Sequence, residues 1–167
     1  GFFSLCVTST LGIALSGNLF TFLIFYEMLT LSTYPLVVHA GSAKALAAGR
    51  VYLRYTLTAG VVLLLGVVLL YSLTNNHSFA SEQGLSPYLD DHRGLLTLIF
   101  ALLVGGLAVK AAMVPLHGWL PRAMVAPAPV SALLHAVAVV KAGAFGILRV
   151  IYDLYGIEFC LNETATT

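Results

Sequence analysis

The chain has 167 residues, 59% of them hydrophobic and only 9% charged, with a net charge of +1 and a mean hydropathy of +0.95. A soluble domain carries about 25% charged residues, so an ordinary aqueous fold is excluded, and the balanced charge leaves no basic face for nucleic acid. The two cysteines, Cys6 and Cys160, stand near opposite ends with no Cys or His at ligand spacing, which fits neither a disulfide framework nor a structural zinc site.

A membrane-spanning helix needs about 20 mostly apolar residues. In chain order, residues 2–16 predict a short first helix, 18–39 a second, 51–74 a third, 94–114 a fourth and 129–150 a fifth. Gly1 opens an apolar stretch with neither an initiator Met nor a basic leader, so it does not read as a signal peptide. The simpler expectation is a segment of a longer polytopic protein. SGN at Ser16–Asn18 is a turn signal. HAGSAKALAAGR, residues 39–50, separates the second and third helices and has room for a short interfacial helix. The stretch Thr74–Arg93, with NNHSFASEQGLSPYLDDHR, is polar throughout and is placed outside the bilayer. The predicted fold class is an all-α polytopic membrane bundle of about five spans.

Between the fourth and fifth helices, PLHGWLPRAMVAPAP places four prolines between Pro115 and Pro129. Proline removes a backbone donor and clashes one turn back, so one helix must be broken here. Irregular backbone at membrane depth is tolerated where protein or a wet cavity lies beside it, and broken helices at ion sites recur in transporters. The plainer alternative is an interfacial loop anchored by Trp119 at the headgroups. Lys44, Arg50, Arg54 and Arg122 gather on one side of the predicted spans, against Arg93 and Arg149 on the other. The positive-inside tendency makes the 39–50 loop cytoplasmic, and the 75–93 loop and C-terminal tail external.

Three ionisable residues fall inside the apolar stretches: Glu27, Lys110 and Lys141. Each costs about 2.5–3.5 kcal/mol at the middle of a span, so such groups are kept where they face one another or a wet cavity. Glu27 lies near the midplane of its helix among Phe22, Phe25 and Leu29, with Tyr34 seven positions on and Pro35 beyond. Lys110 is the basic group of the fourth helix and has Glu27 as its natural partner; the alternative is a lysine snorkelling to the interface. Lys141 is again near mid-depth, as carrier or as an interhelix tie. His135, six residues earlier, would diverge from it by about 120° around a regular helix, so a water or another side chain would have to link them. His135 could also be a packed polar residue, with Ser131 on its face.

Arg50, Arg54, Arg122 and Arg149 read as interfacial anchors. His39, His77, His92 and His117 lie at helix ends or in loops and receive no role. Gly12, Gly17, Gly60 and Gly66 read as close-packing positions. No phosphate loop, nucleophile elbow or haem-ligation spacing is present, so neither a cofactor nor a bound metal is expected.

The run VKAAMVPLHGWLPRAMVAPAPVSALLHAVAVVKAGAFGILRV, residues 109–150, resembles the signature of the antiporter-like membrane subunits shared by respiratory complex I, Mrp-type sodium/proton antiporters and membrane-bound hydrogenases. LFTFLIFYEMLTLSTYPLVVHA, residues 19–40, resembles the glutamate-bearing helix of the same family. The combination of PLHGWLP, APAPVSALLHA and VVKAG is specific. The resemblance implies a parent of about fourteen helices built from two inverted five-helix repeats, of which this chain looks like the first. It puts the family's glutamate–lysine pair on Glu27 and Lys110, its histidine on His135 and its further lysine on Lys141. Some branches carry the histidine and others the lysine; this chain has both, which leaves the branch open.

The resemblance further implies a multi-pass protein of a bacterial or archaeal inner membrane, working with other membrane subunits, protons and sodium, and without redox chemistry of its own. In the mechanism expected from it, Glu27 and Lys110 pair at the midplane, and withdrawal of the counter-charge releases the Lys110 proton toward His135 and Lys141. One alternative is a pumping subunit of an NADH:quinone oxidoreductase or membrane-bound hydrogenase, driven by electron transfer elsewhere. Another, an inert scaffold subunit, leaves three mid-span ionisable groups without a reason.

Overall fold

The computed structural model describes residues 1–75, 78–79, 85 and 89–156. His77, Glu82, Glu158, Cys160, Glu163 and most of the predicted external loop lie outside the described residues. The described chain is helical. Four helices are α1 (Phe2–Leu15), α2 (Leu19–Val37), α3 (Ala43–Thr74) and α4 (Leu89–Lys110). Three short ones follow, α5 (Leu120–Ala123), α6 (Ala128–Ala132) and α7 (Val139–Arg149).

Local chemistry sets the boundaries. Asn18 caps α2, its side-chain oxygen accepting from the Thr21 N–H at 2.7 Å. Ser42 does the same for α3, accepting from the Ala45 N–H at 3.1 Å. From there AKALAAG holds no proline or β-branched residue, so the helix runs unbroken into the third span. The 39–50 stretch does hold helix, for which it had room, but not a separate one: the connection closes by Ser42, and α3 runs on into the third span with 32 residues. At 1.5 Å per residue it is about 48 Å long. That exceeds a hydrocarbon core of about 30 Å, so its first turns, with Lys44, Arg50 and Arg54 exposed, can reach the headgroups.

The fourth helix also differs from its predicted 94–114. It begins at Leu89, loses helical geometry at His92 and ends at Lys110. Ala112 adopts left-handed backbone, φ 55°, while the Ala112 and Met113 N–H groups bond back to the Val109 and Ala108 carbonyls at 3.1 and 3.0 Å. This is the pattern of a Schellman end, with alanine where glycine is usual. The helix thus closes itself before Pro115, and a 3-10 turn, Leu116–Trp119, leads into α5.

A second interruption was not predicted. The apolar run Ala128–Tyr155 is long enough to cross a membrane, but a π turn at Leu133–Val137 and a kink at Ala138 (φ −117°, ψ −73°) divide α6 from α7. Another π turn, Val150–Tyr155, follows α7.

Among the described residues, four helical segments are long and apolar enough to span a bilayer, with α1 shorter at 14 residues. α1 packs on α2, α2 on α3, α3 on α4, and α7 crosses α4. At one end of the bundle the Phe79 N–H bonds the Gly17 carbonyl at 3.2 Å, and Arg149 Nη2 bonds the Ser16 carbonyl at 3.3 Å. Arg149 also pairs with Asp153 at 2.5 Å and lies over the Phe79 ring, 4.2 Å from its centroid. It is a cross-tie between α7 and the α1–α2 turn rather than a simple anchor. Large apolar side chains such as Phe20, Ile24, Leu31, Val61 and Leu65 remain on the outside, where water would not hold them but lipid or protein would.

Candidate functional site

Lys110 is 0% exposed. It is the last residue of α4, and its ammonium reaches Tyr26 in the middle of α2, while the chain comes to the outside of the bundle just beyond the Schellman end, at Met113 and Val114. Nζ donates to the Tyr26 carbonyl oxygen and sits over the Tyr26 ring, 3.3 Å from the centroid. Tyr26 is itself 0% exposed. Its ring stacks on Phe22 at 5.6 Å, and its hydroxyl donates to the Gly106 carbonyl at 3.4 Å, back on the helix that carries the lysine. A buried ammonium is tolerable only with partners of this kind, since an unpaired one costs several kcal/mol.

Glu27 is the ninth of the 19 residues of α2, close to the middle of that helix. Being one residue beyond Tyr26, its side chain leaves the helix about 100° away, toward α3. There the carboxylate lies against Gly60, where an added Cβ would run into it. Oε1 is buried without a hydrogen-bond partner. Glu27 and Lys110 interact electrostatically, but the ammonium is bonded to Tyr26. No ion pair joins Glu27 and Lys110 among the described residues; Tyr26 is seated at the lysine instead.

Trp119 does not anchor at the headgroups. It is 0% exposed, and its Nε1 donates to the Val109 carbonyl at 2.7 Å, so it takes up an acceptor beside the helix break. Its ring packs on Tyr52, with centroids 5.4 Å apart. The Tyr52 hydroxyl shares a 2.6 Å hydrogen bond with the Thr33 hydroxyl of α2. The broken end of α4 is therefore connected through Trp119 and Tyr52 to the helix that bears Glu27.

α7 crosses α4 at Gly143, where a Cβ would collide with the backbone of Lys110 and Ala111. Gly146 meets Leu107 and Phe22 in the same way. Lys141, two residues from Gly143, points about 200° around the helix from it and is exposed. His135 is half-buried, and its Nε2 has no hydrogen-bond partner among the described residues. Because the π turn lies between them, the regular-helix angle predicted for His135 and Lys141 does not apply. Ser131 bonds the Ala126 carbonyl at 3.3 Å rather than the histidine. Among the described residues no hydrogen bond joins His135 Nε2 to Lys110 or Lys141.

Of the glycines read as packing positions, Gly12 meets Phe25, Gly60 meets Glu27 and Gly66 meets Leu103, whereas Gly17 has nothing near it. The site residues missed in the sequence are Tyr26, Trp119 and Gly143. Tyr26 had one available signal: Tyr26, Thr30 and Thr33 recur at helical spacing as a polar line on an apolar helix. Thr30 and Thr33 are indeed buried.

Residues 16–163 match the family described as NADH:quinone oxidoreductase/Mrp antiporter, TM. Over 149 residues the chain is 35% identical to a Staphylococcus aureus protein named as antiporter subunit mnhA2, covering 89% of this chain and 18% of that protein. The chain therefore spans about a fifth of the length of the curated relatives it matches. In three dimensions it is similar to a chain of the membrane-bound sulfane sulfur reductase, an archaeal respiratory membrane complex, with a TM-score of 0.83 and 26% identity over 99% of this chain and 34% of the other. A chain of the Mrp complex from Dietzia sp. DQ12-45-1b gives 0.78 and 32% identity, covering 89% and 28%. A chain of respiratory complex I from Thermus thermophilus gives 0.74 and 26%, covering 88% and 32%.

Proposed function

Because the chain belongs to the NADH:quinone oxidoreductase/Mrp antiporter transmembrane family, we propose that it carries protons, alone or in exchange for sodium, through a membrane as part of a multisubunit complex. The observation that carries this reading is Lys110, fully buried at the self-closed end of a broken helix and within electrostatic reach of the half-buried Glu27. A scaffold has no use for an ammonium in that position, given its cost.

In the proposed cycle Lys110 holds the proton against Tyr26, and Glu27 supplies the nearby counter-charge. When that charge withdraws, the ammonium is less well stabilised and gives up its proton. His135 and Lys141 are the next acceptors. Since Lys141 faces away from Lys110, the proton would reach it through intervening groups and continue toward segments that pack on the outer face of α7. The basic end of the bundle, with Lys44, Arg50, Arg54 and Arg122, is assigned to the cytoplasmic side. The same steps serve an antiporter and a redox-driven complex, which differ in what moves the counter-charge.

Lys110→Ala tests this directly. In vesicles carrying the chain in its native complex, the variant is expected to insert and assemble while proton or sodium flux is lost. Wild-type flux from an assembled Lys110→Ala complex would remove Lys110 from the pathway.

A further inference from the structure

We propose that Tyr26 is a positioning residue for Lys110, a seat that holds the ammonium between a ring face and a main-chain carbonyl and away from Glu27. This rests on the reading that Lys110 is the proton carrier. Three independent contacts define the seat. Nζ donates to the Tyr26 carbonyl. The same nitrogen lies 3.3 Å above the centroid of the Tyr26 ring. The Tyr26 hydroxyl donates to Gly106 on α4 at 3.4 Å, which fixes the ring to the helix that delivers the lysine.

The geometry separates two partners that the sequence alone would merge. Positions 26 and 27 leave α2 about 100° apart. An ammonium on the Tyr26 ring is thus on one face of the helix while the Glu27 carboxylate, against Gly60, is on another. The lysine must leave the tyrosine to meet the glutamate. An aromatic face attracts a cation through its quadrupole, most strongly where water is excluded, and both residues here are 0% exposed. The seat therefore favours the loaded, charged lysine, and Glu27 acts on it as a charge at a distance rather than as a bonded partner.

The test uses the complete complex in vesicles, with flux measured at fixed pH. Position 26 is replaced by phenylalanine and by mono-, di- and trifluorophenylalanine, which drain the ring's negative face with little change of shape. Tyr26→Phe keeps ring and carbonyl, loses the hydroxyl bond to Gly106, and serves as the reference against which the fluorinated rings are read. Across the fluorinated series flux should fall stepwise, to about a tenth at the trifluoro ring, because the loaded lysine is less populated. Lys110→Ala is measured alongside. If Lys110→Ala abolishes flux but the fluorinated series stays flat, the seat is wrong and the carrier assignment stands. If Lys110→Ala retains flux, the carrier assignment itself fails. Tyr26→Leu is a second check: loss of flux with assembly intact supports the seat. Should that variant not assemble, the near-isosteric fluorinated series decides alone.

Discussion

Lys110 and Lys141 lie on helices that cross at Gly143, and the chain treats them differently. Around Lys110, α2, α3 and α4 enclose the charge completely and supply a carbonyl, a ring face and a nearby carboxylate. Along α6 and α7 the backbone is irregular, His135 Nε2 lacks a partner among the described residues, and Lys141 is exposed. The first region is a finished charge site within these residues. The second holds ionisable groups whose partners are not supplied by the described part of this chain. The difference teaches that mid-span position alone does not make a charge site: the direction in which the helix presents the side chain does. α4 presents its lysine to Tyr26 of α2, while α7 turns its lysine to the outside.

The largest expected effect lies where the two regions meet. Gly143→Leu would drive a side chain into the Lys110–Ala111 backbone, which cannot swing aside as a side chain can. It should cost about 3 kcal/mol or more, read as a lower unfolding midpoint in detergent and less assembled complex. An unchanged midpoint would mean that α7 does not cross α4 at the lysine.

A direct contrast of the two lysines comes next. Lys110→Met leaves Glu27 without its counter-charge and should cost about 3 kcal/mol. Lys141→Met should stay within about 0.5 kcal/mol, as surface changes do. Equal losses at both positions in the native complex would show that a covering segment encloses Lys141 as tightly as α2 encloses Lys110.

Trp119→Phe is expected to be milder. It removes the 2.7 Å bond to the Val109 carbonyl but leaves that oxygen its bond from the Ala112 N–H and keeps a ring on Tyr52. A loss of about 1 kcal/mol follows, measured by thermal unfolding. No loss would favour the plainer alternative, in which Trp119 is an interfacial anchor.

How much of this was legible depended on whether a feature was local. The spans, the break after Lys110 and the depth of Glu27 follow from apolar run length and proline placement, which are properties of the sequence itself. The length of α3 exceeds its expected 51–74 because the polar and small residues of 39–50 have room for a short interfacial helix of their own, and only the structure shows that the helix capped at Ser42 is continuous with the span. The π turn at Leu133–Val137 carried no proline or glycine to announce it, so a regular helix was the natural expectation and the angle between His135 and Lys141 went wrong with it. Trp119 beside prolines looked interfacial because nothing local shows that its indole reaches the Val109 carbonyl, ten residues back. The Tyr26 seat depends on contacts between residues 80 and 84 apart in sequence, which no local pattern encodes.

The central claim is that Glu27 and Lys110 are energetically coupled although Tyr26 holds the ammonium, and a double-mutant cycle on the assembled complex tests it most directly. Glu27→Gln and Lys110→Met should each lower the yield of folded complex. The combined variant should recover part of that yield while remaining inactive in flux, with a coupling energy of about 0.5–3 kcal/mol between the sites. Strictly additive losses in the double variant would contradict the claim, and would leave Glu27 and Lys110 as two separate charges that share only a depth in the membrane.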